Sequence, residues 1–239
     1  LDASSKTMKF LPEESEIEWM RPTNYLKALS ERTKKKLAAP IFMQPDLKMN
    51  DVVPSSGFGN GWFVAAIGFI SNYEQLLVGS RGKIVHNLLQ GIHPPLFQPF
   101  AQHSIYTFKF YKDKQPVYVV IDDTFPVNSA TLDPLFSRST SPNCLWAILI
   151  EKAYAKLHGS YSNIQFGHTP EALTDLTGLV CIKTQLPELN SEADLDNWKM
   201  ETETHLRKGW LLGCSASKLK KNSNNGIVEQ SLYSIKSLV

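Results

Sequence analysis

Nine consecutive residues, Trp62-Phe63-Val64-Ala65-Ala66-Ile67-Gly68-Phe69-Ile70, carry no charge at all. They follow a glycine-rich turn, Ser55-Ser56-Gly57-Phe58-Gly59-Asn60-Gly61. The length of the run, its Ala pair and its apolar character on every side predict a buried helix. Such a helix has no face for solvent, so the rest of the chain must wrap it. The material for that is present: 239 residues, 42% hydrophobic and 10% aromatic. This amounts to one large domain or two small ones, and it excludes a mainly disordered chain.

Charge and cysteine usage narrow the partners. The 25 Lys+Arg against 23 Asp+Glu give a formal charge of +2, which supplies no reason to expect nucleic acid or an anionic membrane as the main partner. No run approaches the length of a membrane span. Cys144, Cys181 and Cys214 lie 37 and 33 residues apart. An odd count at such spacing fits neither a disulfide framework nor a zinc motif, so reduced thiols and a cytoplasmic home are expected. The first residue is Leu1 and no signal-peptide pattern follows, so the chain is expected to be a piece of something longer.

Punctuation by Pro and Gly organises the remainder. Residues 1–50 carry Pro12, Pro22, Pro40 and Pro45 and are expected to be irregular, with the basic run Arg32-Thr33-Lys34-Lys35-Lys36 on a solvated surface. A helix is expected over residues 81–90. Residues 105–111 and 117–121 predict a hairpin, with Lys112-Asp113-Lys114-Gln115-Pro116 as its turn and a second strand buried on both faces. Ser141-Pro142 reads as a helix start, Glu151, Lys152 and Lys156 as the part of that helix that reaches solvent, and Gly159 as its end. A short helix from Thr169 stops at Gly178. An amphipathic helix over 193–207 precedes a strand over 210–215, a polar loop over 218–226, and final strands at 227–228 and 232–235. Gly178 is the expected boundary, between helix-rich material and a helix-then-strand pattern.

Most chemistry-bearing residue types here have a structural explanation. The glycine-rich turn lacks the Lys-Ser/Thr ending of a phosphate-binding loop and follows no clear strand, which argues against nucleotide binding. His86 and His93 are seven apart and the other four histidines are scattered, so no His/Cys metal site is expected. Asp122-Asp123 closes a strand, where acids usually cap a turn. Cys144 stands near a helix start but is followed by Leu145-Trp146-Ala147-Ile148, and Cys214 lies in an apolar strand; both are expected to be buried, not nucleophilic.

Several segments, in order from about residue 16 to residue 235, resemble the calpain family of cysteine proteases. Residues 55–66 are similar to the family's active-site turn, Gln-Gly-x-x-Gly-Asp/Asn-Cys-Trp-Phe/Leu-x-Ala-Ala. The stretch Leu149-Ile150-Glu151-Lys152-Ala153-Tyr154-Ala155-Lys156-Leu157-His158-Gly159-Ser160-Tyr161 resembles Leu-Leu-Glu-Lys-Ala-Tyr-Ala-Lys-x-x-Gly-x-Tyr nearly throughout. Residues 119–126 resemble a strand ending Asp-Asp-x-Leu-Pro. Trp19-Met20-Arg21-Pro22, residues 169–178 and Leu211-Leu212-Gly213-Cys214-Ser215 also match family patterns. The resemblance implies an α+β, papain-like calpain protease core: residues 1–50 leading in, a helical first lobe over 51–178, and the beginning of a β-rich second lobe over 179–239.

The departures from the family decide the expected function. The family's nucleophilic Cys position holds Gly61, its oxyanion Gln position holds Ser55, and its His position holds Ser231. The third member, an Asn, is expected beyond Val239. Glycine has no side chain with which to attack a carbonyl, and Ser231 is no base near neutral pH. The family's calcium loop has an acid where this chain has Val52, displaced by one from Asp51, and a Glu where it has Cys144, so no calcium and no cofactor is expected there. These substitutions imply a calpain-like pseudoprotease: not an enzyme, but a module that binds protein partners within a larger assembly, without nucleic acid or membrane. Family analogy points to cytoskeletal or flagellar placement. The alternative is a calpain-type endopeptidase module whose activity resides in other domains or subunits.

Overall fold

The computed structural model describes residues 14–42, 52–54, 59–71, 103–188, 190–215, 232–235 and 237. The helix expected over 81–90, the polar loop over 218–226 and the strand at 227–228 lie outside the described residues. The chain divides into two units, residues 1–180 and 181–239.

In the first unit a 3-10 turn, Glu14–Glu16, leads into β1, Ile17–Met20, and α1, Pro22–Thr33. Residues 1–50 are therefore not irregular throughout. Pro22 sits at the first position of α1, where the missing N–H has no intrahelical partner to lose and the fixed φ suits a helix. The proline starts the element it was expected to prevent.

The apolar run becomes α2, Gly61–Ser71, as expected, with Phe63, Ala66, Ile67, Phe69 and Ile70 buried. Short β2, Val52–Val53, runs antiparallel to β6, Arg138–Ser139, and β1 pairs in the same sense with β5, Phe125–Asn128. The hairpin is formed by β3, Ile105–Lys112, and β4, Gln115–Asp122. Its turn is tighter than the sequence implied, because Asp113 (φ 50°) and Lys114 (φ 64°) both adopt left-handed backbone. That pair of positive φ values is the two-residue loop whose twist matches the flanking strands.

β4 is not buried on both faces. Val119 and Ile121 point inward, whereas Tyr118 and Val120 are about half exposed. Among the described residues helices cover only one side of this ribbon, with α3, Trp146–Leu157, against β4 and α4, Thr169–Thr177, against β3. The core between them is aromatic: Phe63 stacks on Tyr154 at 4.4 Å, and Phe110 lies 5.6 Å from the same ring.

α3 begins at Trp146, later than Ser141-Pro142 suggested. The Leu145 and Trp146 amides donate to the carbonyls of Ile41 and Phe42, and Ile41 donates back to Asn143. Residues 143–146 are thus held by a neighbouring segment before the helix can take over. α4 and its glycine stop agree with expectation. Gly178 has φ 70°, and a Cβ there would fall 2.9 Å from the Tyr111 ring, so glycine is needed twice over.

The second unit holds α5, Glu192–Arg207, and the antiparallel pair β7, Leu212–Ser215, and β8, Leu232–Ile235. A reciprocal cap starts α5: the Ser191 hydroxyl accepts from the Asp194 amide, and the Asp194 carboxylate accepts from the Ser191 amide. His205 stacks on Trp210 at 4.2 Å beyond its last turn. Cys214, expected in the core, is exposed. It belongs to a two-stranded ribbon, which has too few layers to bury an apolar strand on both faces. Among the described residues no helix is long and apolar enough to cross a membrane.

Candidate functional site

The N-terminus of α2 is held by hydrogen bonds on two sides. Asn60 precedes it, and its carbonyl accepts from the amides of Phe63 and Val64, both at 3.0 Å. The Asn60 side chain is buried, and its Nδ2 donates to Glu151 Oε1 at 2.6 Å. The other oxygen of Glu151 accepts from the Ser137 amide at 2.6 Å and the Ser137 hydroxyl at 2.5 Å. Glu151 is 0% exposed, so it does not mark the solvent face of α3. The overlooked signal is spacing: Ala147, Glu151 and Ala155 recur four apart and share one helix face, all buried. Burial pushes the Glu151 carboxyl up from the usual carboxylate range, against the opposing hydrogen bonds of Asn60 and Ser137.

The opposite side of the same turn is fixed by Trp62. Its indole Nε1 donates to the Ile164 carbonyl at 3.1 Å, and its own carbonyl accepts from Thr169 Oγ1 at 3.1 Å. Gly167 lies so close to the indole that a Cβ would fall 2.5 Å from the ring. Gly59, at φ +63°, brings its backbone against Gln165, whose carbonyl oxygen would be 3.0 Å from a Cβ. Two glycines and a tryptophan thereby seat the 164–169 segment against the start of α2.

Gly61 is the first residue of α2 and is exposed, with nothing within 4 Å of where its Cβ would be. The free N–H groups of a helix start favour negative charge, and a thiol there would be shifted toward thiolate. At Gly61 the position is open and carries no reacting group. Ser55 and Ser231 lie outside the described residues. Val52 is buried in β2 opposite Ser139. Cys144 is 2% exposed with its Sγ 3.8 Å from the Phe42 carbonyl, so its expected burial holds. Neither side chain offers an oxygen to a hard cation.

Asp122, Asp123 and Asp175 have structural partners. Asp122 Oδ1 accepts from the Thr124 amide and hydroxyl and pairs with Lys152. Burial alone would raise this carboxyl, but the Lys152 and Thr124 hydrogen bonds outweigh it and hold the pKa at about 2. Asp123 pairs with Arg21 at 2.6 Å. The two acids thus cap and clamp the end of β4, as the sequence suggested. Asp175 Oδ2 accepts from Lys112 Nζ at 2.5 Å and from the Tyr154 hydroxyl at 2.8 Å, tying β3, α3 and α4 together. Among the described residues no group of three or more His, Cys, Asp or Glu side chains could hold a metal ion.

Residues 2–239 match the family described as "Calpain family cysteine protease". A calpain of Schistosoma mansoni is 29% identical over 185 residues, covering 77% of this chain and 23% of that protein. Human Calpain-14 is 35% identical over 179 residues, covering 74% of this chain and 23% of that protein. The calpain-type cysteine protease DEK1 of Arabidopsis thaliana is 30% identical over 223 residues, covering 91% of this chain and 9% of the relative. The chain therefore spans about a quarter or less of the length of these relatives. With helices, small antiparallel sheets and a family match across nearly every residue, this α+β chain belongs to the calpain family of cysteine proteases.

Proposed function

We propose that this chain is a calpain-like pseudoprotease, a non-catalytic module that binds protein partners within a larger assembly. The observation that carries the reading is Gly61, which takes the nucleophile's place in the family motif and stands at an exposed helix start with open space around it. Loss of either nucleophile or base commonly costs on the order of 10⁶ in rate. Ser231 in place of the histidine adds to that loss. The proposal extends to calcium: Val52 and Cys144 do not fit a hard cation, so no step depends on one here. Placement in the cytoplasm, on cytoskeletal or flagellar structures, belongs to the same reading.

The test is cleavage of casein-like substrates with and without calcium, in which the parent chain is expected to be inert. The Gly61→Cys/Ser231→His double variant, if folded, is expected to regain reactivity toward a thiol-directed epoxide. Calcium-stimulated cleavage by the parent would sink the proposal. The second reading is an endopeptidase module whose activity resides in other domains or subunits. The printed name of the Arabidopsis relative, a calpain-type cysteine protease, favours it, and cleavage by the full assembly but not by this chain alone would support it.

A further inference from the structure

The C-terminal end of α1 concentrates the positive charge of the chain. Residues 27–37 hold Lys27, Arg32, Lys34, Lys35 and Lys36 against the single acid Glu31, a net charge of +4, whereas the other 228 residues together carry −2. All five cations are exposed. Among the described residues Lys27, Lys34, Lys35 and Lys36 make no ion pair, and Arg32 donates to the Ala130 carbonyl at 2.5 Å, not to a carboxylate. Lys34 ends the helix in left-handed backbone at φ 56°, a place where glycine is usual and a lysine adds strain. Favourable interaction with the helix dipole accounts for one or two cations in the last turn. It does not account for three more that follow the helix end or for Lys27 beside them.

The reversal at Lys34 folds residues 37–40 back along α1. Between them lies an open trough of about 400 Å³, lined by Leu26, Lys27, Ser30, Leu37, Ala38 and Pro40 among others. Thr23, Glu31 and Ala39 complete the lining, in which Lys27 and Glu31 offset each other, and the exposed Lys34, Lys35 and Lys36 stand in the turn that leads into it.

We infer that this trough is a docking site for an acidic peptide segment of a protein partner, its carboxylates paired with Lys34, Lys35 and Lys36 and an apolar side chain seated against Leu37 and Pro40. Charge complementarity selects an acidic occupant, and the trough's size and lining select a peptide among polyanions. It offers no aromatic side chain on which a base could stack. The cations in the adjoining turn are lysines, point charges that suit carboxylates and lack arginine's paired fit to phosphate. The net negative charge elsewhere disfavours a broad anionic surface such as a bilayer. The site is separate from Gly61, and an active protease with this surface would bind the same peptide, so either proposal can fail without the other.

The experiment is a fluorescence-anisotropy titration of the chain with a labelled peptide of glutamates bearing two leucines. The controls are an all-glutamate peptide of equal charge, vesicles of phosphatidylcholine with phosphatidylserine, and oligouridylate. The expected result is saturable binding of the leucine-bearing peptide that weakens with salt. Lys34→Gln/Lys35→Gln/Lys36→Gln should weaken it about 10-fold, and removal of the leucines about 5-fold. Lys27→Gln/Lys35→Gln/Lys36→Gln, which leaves the backbone at Lys34 untouched, should weaken it similarly while thermal unfolding stays unchanged. Absence of binding, equal binding by the lysine variants, indifference to the leucines, or tighter binding of vesicles or oligouridylate would each overturn the inference.

Discussion

Asn60 and Glu151, 91 residues apart in sequence, meet in a buried 2.6 Å hydrogen bond that anchors the start of α2 to the middle of α3. Asn60 Nδ2 is the donor, and Asn60 Oδ1 is buried without a partner. Ser137 closes the other side of the carboxylate. The backbone around Gly61 is therefore set from behind by buried polar groups. This explains how the helix start is held in place with a glycine as its first residue.

That arrangement separates two substitutions. Glu151→Ala leaves Asn60 and Ser137 donors unpaired in a cavity and should cost about 3 kcal/mol of unfolding free energy. Glu151→Gln should stay within about 1 kcal/mol of the parent, because the Asn60 amide can turn its unpaired Oδ1 to the new donor. Denaturant titrations measure both, and equal losses would contradict the geometry.

The pH dependence of the same pair has a definite sign. Burial raises the folded-state carboxyl of Glu151, so its contribution is full below the unfolded value of about 4.3 and is lost as pH rises through the folded value. Relative to the parent, Glu151→Gln should gain stability as pH is raised from acid toward neutral. A constant difference in melting temperature across that range would refute this.

Asp122 behaves in the opposite sense. Its depressed pKa of about 2 makes its pairing with Lys152 and Thr124 stabilising above about pH 4 and progressively lost as pH falls through about 2. The side chain is half exposed, so the effect is expected to remain below about 1 kcal/mol. Asp122→Asn should flatten the acid limb of a stability–pH curve over that window, with its small loss of stability present at neutral pH and vanishing below about pH 2.

Two glycines at the site should respond differently to alanine. Gly61→Ala meets no atom within 4 Å and is expected to fold with unchanged or slightly higher melting temperature. Gly167→Ala drives a Cβ to 2.5 Å from the Trp62 ring and should cost about 1–3 kcal/mol, with a change in tryptophan fluorescence. Similar melting temperatures for the two variants would show that the 164–169 segment is not seated on Trp62.

The thiols provide a direct check on burial. Cys214 is exposed, Cys181 intermediate and Cys144 buried. With a thiol-specific disulfide reagent, Cys214 is expected to react first in the native protein and Cys144 only on unfolding. Burial raises both the Cys181 and Cys214 thiols, so labelling of either should accelerate as pH is raised above neutral.

Local chemistry determined much of this protein before any contact was known. The uncharged run after Gly61 predicts a buried helix, Gly178 marks the end of its helix, and aromatic and β-branched residues on either side of a short polar turn specify the β3–β4 hairpin. Such features depend on neighbours a few residues away. Four matters depended on which element lay alongside. Tyr118 and Val120 are exposed because, among the described residues, only one face of the hairpin is packed. α3 starts at Trp146 because the Ile41–Phe42 segment holds the residues before it. Cys214 is exposed because, among the described residues, its two-stranded ribbon has no covering layer. Glu151 is buried because Asn60 and Ser137, distant in sequence, bring the hydrogen bonds that make burying a carboxylate tolerable. An apolar pattern records a preference for burial, but whether a face is covered, or a charge compensated, is decided by partners that only the folded chain brings into reach.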